Sequence, residues 1–160
     1  MASTGEHGGK SQVSSVTWKS GADMYSRATT VELREGRRVS LLQLPGREAD
    51  SPTVVLFCHG SCASMSQYFP AISAINAAGY GCIAYDWLGC GNSDKPEAWG
   101  AYAFKELERD LEAVWDLARK ATPHAGVFVV GHSYGTHLVM RLALTLQQRP
   151  PGPASVGRLR

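Results

Sequence analysis

Three short apolar runs set the frame for this chain. Thr53–Cys58, Gly81–Tyr85 and residues 127–130 are uncharged and carry many β-branched or aromatic side chains. After its first residue, Thr53–Cys58 has no polar interruption, which is the pattern of a strand buried on both faces. Longer stretches that read as helices follow each run, at 67–78, 102–121 and Tyr134–Gln148. This strand–helix alternation predicts an α/β fold, a mostly parallel sheet with flanking helices, because parallel strands need crossover connections that cover the sheet.

Ahead of these runs, Thr29–Arg34 and Arg37–Leu44 alternate apolar and polar residues around Glu35-Gly36, and predict a β-hairpin. Residues 1–27 are rich in Ser, Gly and Thr without sustained periodicity, and are expected to be disordered. The folded unit is then 28–148. The remaining residues, 149–160, form a tail that Arg149-Pro-Pro-Gly-Pro separates from the last helix. In the 102–121 helix, Leu107, Leu111, Val114, Trp115 and Ala118 share one stripe. Glu108, Arg109, Glu112, Asp116 and Arg119 lie mostly away from it and are expected to form a solvated face.

A chain of 160 residues and 17.2 kDa has room for one domain. Its net charge of +2 comes from the tail, since residues 53–148 carry six Lys or Arg against eight acids. A nucleic-acid binder should be basic on its folded part, so nucleic acid is not an expected partner. The longest apolar run has five residues, where a membrane-spanning helix needs about 20. Cys58, Cys62, Cys82 and Cys90 follow no charged-then-apolar leader and include no Cys-x-x-Cys pair. They read as free thiols in a reducing compartment, the cytoplasm, with no metal site.

The chemistry is concentrated in Gly131-His132-Ser133-Tyr134-Gly135, which lies between an apolar strand and a helix. This is the strand–turn–helix setting of a nucleophile elbow. The turn strains the serine backbone, and glycine two residues before and after it relieves crowding. Ser133 is thereby lifted to the tip of the sheet, beside a helix N-terminus that favours developing negative charge.

A second motif, His59-Gly60-Ser61, ends the earlier buried strand. With it the sequence resembles the α/β-hydrolase superfamily. The resemblance implies that the backbone N–H groups of Ser61 and Tyr134 form an oxyanion hole. His59 is expected to prop the loop and not to transfer protons. A third motif, Asp86-Trp-Leu-Gly-Cys-Gly-Asn-Ser93, is similar to the family's Asp-x-Arg-Gly-x-Gly-x-Ser loop, with Leu88 in place of the usual Arg. Read instead as a dinucleotide loop, it fails because Asp94 occupies the third glycine position, so no redox cofactor is expected.

The resemblance runs from about Thr29 to Gln148. With Ala101-Tyr-Ala-Phe104 ahead of the helix, it is closest to the abhydrolase-domain-containing serine hydrolases. Haloalkane dehalogenases and epoxide hydrolases share the fold but use Asp as nucleophile, and Ser133 argues against both. The implied activity is hydrolysis of carboxylic esters or related small acyl compounds.

A serine nucleophile needs a base and a carboxylate to orient it, which in this fold follow the serine in sequence. After Ser133 the only histidine is His137, on the side of the same helix, and no Asp or Glu follows Asp116. His7, His124 and His132 are also poorly placed. The reading is therefore the N-terminal half of an α/β-hydrolase domain, truncated before the sixth strand. Residues 155–160 are similar to the opening of that strand. Two consequences follow. Residues 127–130 become an exposed apolar sheet edge, capable of self-association, and the chain is expected to be inactive or nearly so. The alternative is a non-catalytic remnant or interaction module.

Overall fold

The computed structural model describes residues 21–47, 53–123 and 126–149. The five strands are β1 (Thr29–Arg34), β2 (Arg37–Leu44), β3 (Thr53–Cys58), β4 (Gly81–Tyr85) and β5 (Gly126–Gly131). They form one sheet in the order β1-β2-β4-β3-β5. β1 pairs antiparallel with β2 and β2 antiparallel with β4, while β3 lies parallel to both β4 and β5. Only β2 therefore runs against the other four, as the sequence pattern anticipates. β3 sits between β4 and β5, so the strand with the least polar interruption is interior, and its last three residues are all buried.

Among the described residues, four helices flank the sheet: α1 (Gly21–Tyr25), α2 (Phe69–Ala77), α3 (Phe104–Ala121) and α4 (Tyr134–Gln148). Short 3-10 turns at Met65–Tyr68 and Trp99–Tyr102 lead into α2 and α3. Those turns explain why the two helices begin later than their sequence pattern indicates. On one face, α3 and α4 place Leu111, Val114, Leu138 and Leu142 against Val54, Leu56, Ile83 and Tyr85. Each such buried aliphatic side chain contributes about 1.5–3 kcal/mol. On the other face, Met65, Phe69 and Ile72 pack against Leu42, Leu44, Phe57 and Cys82.

Two expectations need correction. Residues 21–27 do not belong to a disordered lead, since Gly21–Tyr25 is a helical turn with Met24 buried in the α2-side core. The Tyr25 ring meets Phe69 edge-on at 5.1 Å. One turn of helix is too short to show a period, so the two anchoring side chains were invisible as a pattern. Residues 1–20 lie outside the described residues. The second correction is Glu108, which is buried and not part of a solvated face. Its carboxylate accepts from Lys105 at 2.9 Å and from Arg141 of α4 at 3.2 Å. Beside it, Asp110 is equally buried and accepts from Arg34 and Arg37 of the hairpin. Ion pairs of this kind fix α3 against both α4 and the hairpin, and removing one partner leaves the other charge buried and unpaired.

Candidate active site

The C-terminal ends of β3, β4 and β5 converge on one end of the sheet, and each continues into a loop that carries a motif. β5 ends at Gly131 and α4 begins at Tyr134, leaving Ser133 at the sharp turn between them with φ +51° and ψ −123°. A non-glycine residue in that region costs of order 1–3 kcal/mol, and surrounding packing must hold it there. The packing is visible around the two elbow glycines. A Cβ on Gly131 would lie 2.9 Å from the Gly135 carbonyl oxygen and from Thr136 Cα. A Cβ on Gly135 would meet the carbonyl oxygens of Cys58 and His59. The His132 N–H donates to the Cys58 carbonyl at 3.2 Å, tying the elbow to the end of β3. Ser133 is exposed.

The loop after β3 packs directly on the elbow. A Cβ on Gly60 would stand 2.9 Å from His132 Nδ1 and 3.2 Å from Ser133 Cβ, so only hydrogen fits between them. His59 holds this loop. Its ring is fully buried, its Nε2 accepts the Trp87 N–H at 3.0 Å, and it stacks on Trp87 with centroids 4.5 Å apart. Its Nδ1 therefore carries the proton and donates to the Gly60 carbonyl at 2.8 Å. Burial pushes the imidazole pKa below its ordinary value, against the opposing pull of the Gly60 carbonyl and Asp86. A neutral ring with both nitrogens engaged is a prop, as the sequence reading has it.

Asp86 is the second tie. Fully buried at the end of β4, its carboxylate accepts the N–H of Met65 at 2.7 Å and of Asn92 at 2.9 Å, with Tyr25 Oη at 3.4 Å. One side chain thus joins α1, the segment leading out of the loop after β3, and the loop after β4. Gly91, at φ +46°, has no room for a side chain because Asp86 Oδ2 occupies that space. Ser93 Oγ donates to the Asp86 carbonyl and accepts from the Ser40 N–H, completing the loop. Leu88 is buried and lines a cavity, so the loop closes on backbone donors without a cation at that position.

Ser61 and Tyr134, the two residues whose N–H groups were singled out, line one cavity of about 510 Å³. Its other walls include Trp87, Leu88, Tyr102, Leu107 and the exposed Trp99, with Cys62, Cys90 and Lys95 at the polar side. Neither N–H has an acceptor among the described residues. Lys95 is engaged with the Gly91 and Ser93 carbonyls, and no carboxylate lines the cavity. Sequence reasoning missed these aromatic walls, although Tyr102 lies within the Ala101–Phe104 segment that carried part of the resemblance. The larger groove, of about 670 Å³, lies at the opposite end, between the hairpin and the end of α3.

No base reaches Ser133 among the described residues. His137 is exposed on α4, with its ring 6.3 Å from that of Tyr134, and borders the separate groove between α3 and α4. His132 is exposed beside Gly60. His7 and His124 lie outside the described residues. Among the described residues, no cluster of three or more His, Cys, Asp or Glu side chains is placed to hold a metal ion. Among the described residues, no helix is long and apolar enough to cross a membrane.

A strained serine between parallel strand and helix, backed by a His-Gly loop, defines the elbow of α/β hydrolases. The chain belongs to the α/β-hydrolase fold family, whose model matches residues 53–156. It is 33% identical to a proline iminopeptidase of Heyndrickxia coagulans over 76% of this chain and 38% of that protein. It is 31% identical to the human protein ABHD8 over 61% of this chain and 21% of that protein. Among solved structures it is similar to epoxide hydrolase A from Mycobacterium thermoresistibile, with 31% identity and a TM-score of 0.61. That match covers 82% of this chain and 41% of the other. Epoxide hydrolase VrEH1 from Vigna radiata is 27% identical with a TM-score of 0.61, over 73% and 33% of the two chains. The chain thus spans between about a fifth and two-fifths of the length of these relatives.

Proposed function

We propose that Ser133 is the nucleophile of an acyl hydrolase acting on neutral carboxylic esters or related small acyl compounds. The observation that carries this reading is the backbone of Ser133, held at φ +51° with the Gly60 loop packed against it. In the proposed reaction Ser133 Oγ attacks the carbonyl carbon and its proton passes to a base. The carbonyl π pair moves to oxygen, and the N–H groups of Ser61 and Tyr134 hold that oxyanion beside the positive end of α4. Collapse expels the alcohol, which takes the proton from the base, and water then releases the acid by the same two steps.

The apolar and aromatic walls of the 510 Å³ cavity suit an uncharged acyl or aryl group. An aminopeptidase reading, suggested by the iminopeptidase relatives, needs an anion for the substrate ammonium, and this cavity has none among the described residues. Epoxide opening through an alkyl-ester intermediate needs a carboxylate nucleophile, whereas position 133 carries a hydroxyl. The 160-residue chain by itself is expected to turn over poorly, because no described imidazole contacts Ser133. That same observation favours the second reading, a non-catalytic module that retains the elbow as scaffold.

Added imidazole distinguishes the two. Hydrolysis of an activated aryl ester is measured for wild-type, Ser133→Ala and His137→Ala chains, with imidazole titrated and its solution background subtracted. Oxyanion donors alone support roughly 10³-fold acceleration, so the basal rates should be low and similar. The proposal expects imidazole to accelerate wild type and His137→Ala and to form an acyl adduct on Ser133 seen by mass spectrometry. An equal response in Ser133→Ala would overturn it and leave the scaffold reading. High basal turnover lost in both variants would assign His137 as the base.

A further inference from the structure

The four cysteines fall into two kinds. Cys58 and Cys82 are buried within strands, and burial pushes their thiols up to about 11 and about 12. Cys62 and Cys90 stand instead on the loops after β3 and β4, the first exposed and the second half-buried. Both line the cavity of about 510 Å³ that Ser61 also lines. The two loops are tied to each other from within. Asp86 accepts the N–H of Met65, three residues past Cys62, and that of Asn92, two residues past Cys90. The Cys90 N–H donates to the Trp87 carbonyl at 2.8 Å, and Lys95 Nζ donates to the Gly91 and Ser93 carbonyls. All of these ties lie within residues 53–123. Cys62 has φ +56°, and Ser133 is the only other non-glycine with a positive φ among the described residues. Cysteine lacks the local hydrogen bonds that let Asn and Asp favour this region, so the surrounding loop holds it there. The two thiols also sense each other. Cys90 is raised above the ordinary thiol value chiefly by burial, then by the charges of Asp86 and the Cys62 thiolate, with Lys95 opposing.

We infer that Cys62 and Cys90 form a dithiol site that reacts with low-molecular-weight disulfides and closes to a reversible Cys62–Cys90 bridge across the cavity. Exposed Cys62 reacts first. Its thiolate attacks one sulfur of the small disulfide, forms a mixed disulfide and displaces one small thiolate. That step removes the Cys62 charge that helps to keep Cys90 protonated. The Cys90 thiolate then attacks Cys62 Sγ, the bond to the small partner breaks, and the second small thiolate leaves. The protons given up by the two cysteines end on the two small thiols released. The small disulfide is thus reduced by two electrons and the protein oxidised by two, and excess small thiol reverses both steps. Cys58 and Cys82 do not compete, since they are buried and stay protonated. The bridge fixes the loop that carries Ser61 to the loop after β4, narrowing the cavity beside Ser61. Its effect on hydrolysis rests on the proposed function, whereas the bridge itself does not.

The test is to incubate the 160-residue chain with glutathione disulfide at neutral pH, quench with acid, alkylate, and map the peptides by mass spectrometry. The expected product is a chain two hydrogens lighter with a single Cys62–Cys90 cross-link, returned to the dithiol by reduced glutathione. Cys90→Ser should stop at a glutathione mixed disulfide on Cys62, and Cys62→Ser should slow thiol loss by about tenfold or more. A wild-type chain that halts at the mixed disulfide, a bridge between any other pair, or unchanged thiol loss in Cys62→Ser would each overturn the inference. Phenylarsine oxide, which bridges two neighbouring thiols, gives a check on the wild type that needs neither an oxidant nor a variant that folds. One equivalent must protect both Cys62 and Cys90 from alkylation, and protection of fewer than both refutes the site. None of these readouts depends on turnover, so they stand apart from the fate of the acyl-hydrolase reading.

Discussion

Replacing Asp86 probes the link between the fold and the candidate site, because this single buried carboxylate connects three segments around the elbow. In Asp86→Ala the N–H groups of Met65 and Asn92 lose their carboxylate acceptor. A hydrogen bond to a charged group contributes about 1.5–3 kcal/mol, so two give a loss of about 3–6 kcal/mol. The weak contact from Tyr25 at 3.4 Å adds little. Domains of this size hold about 5–15 kcal/mol in total, so the variant should lie close to unfolding. Asp86→Asn separates geometry from charge. Its amide oxygen can satisfy one of the two N–H groups, while its NH2 faces the other, donor against donor. The expected loss is therefore not smaller than about half that of alanine. Urea titration followed by circular dichroism reads both losses as a lower midpoint at unchanged slope. Hydrogen exchange should show that the Met65 and Asn92 amides lose protection first. If Asp86→Asn matches wild type in midpoint and in these two amides, the carboxylate is not the tie described here and the reasoning fails.

Three further outcomes can be checked. Gly135→Ala forces a methyl group onto the Cys58 and His59 carbonyl oxygens, so its melting temperature should fall by several degrees; an unchanged melting curve would show that the elbow relaxes freely. His59 binds its proton less readily folded than unfolded, so below its ordinary value of 6.5 the unfolded chain takes up more protons. Stability should therefore be complete above that pH and decline as pH falls through it toward the lower folded-state value. A melting temperature that is flat until the carboxylate range would contradict this. Glu106 and Glu108, held low chiefly by hydrogen bonds from Arg34 and Lys105, should lose their contribution only below about 4.5. Finally, burial pushes the Cys58 thiol up to about 11 and Cys82 up to about 12. An alkylating reagent at neutral pH should modify exposed Cys62 first and reach Cys58 and Cys82 only on unfolding, which peptide mapping by mass spectrometry resolves.

Much of the fold was legible in the sequence because its signals are local. Apolar alternation gave the hairpin, an unbroken β-branched run gave the interior strand β3, and Gly-x-Ser-x-Gly between a strand and a helix placed the strained turn at Ser133. Each depends on what one stretch of chain can do with its own backbone, and the structure puts all of them where local chemistry required. Even the role of His59 followed from its position at the end of a buried strand.

Tertiary structure alone decided what those pieces touch. Met24 and Tyr25 sit in a segment with no period, and only the shape of the α2-side core gives them a place. Glu108 read as a surface charge on a helix, yet it and Asp110 are buried where α4 and the hairpin bring arginines to them. The cavity beside Ser61 and Tyr134 is assembled from the loops after β3, β4 and β5, whose residues are up to 73 positions apart and share no pattern. The asymmetry of the two sheet edges is of the same kind. The charges of β1 and the bare apolar run of β5 were both written in the sequence, but strand order determined that these two strands, and not β3 or β4, lie outermost among the described residues. Local propensity specifies elements, whereas burial and edge exposure are properties of how distant elements stack.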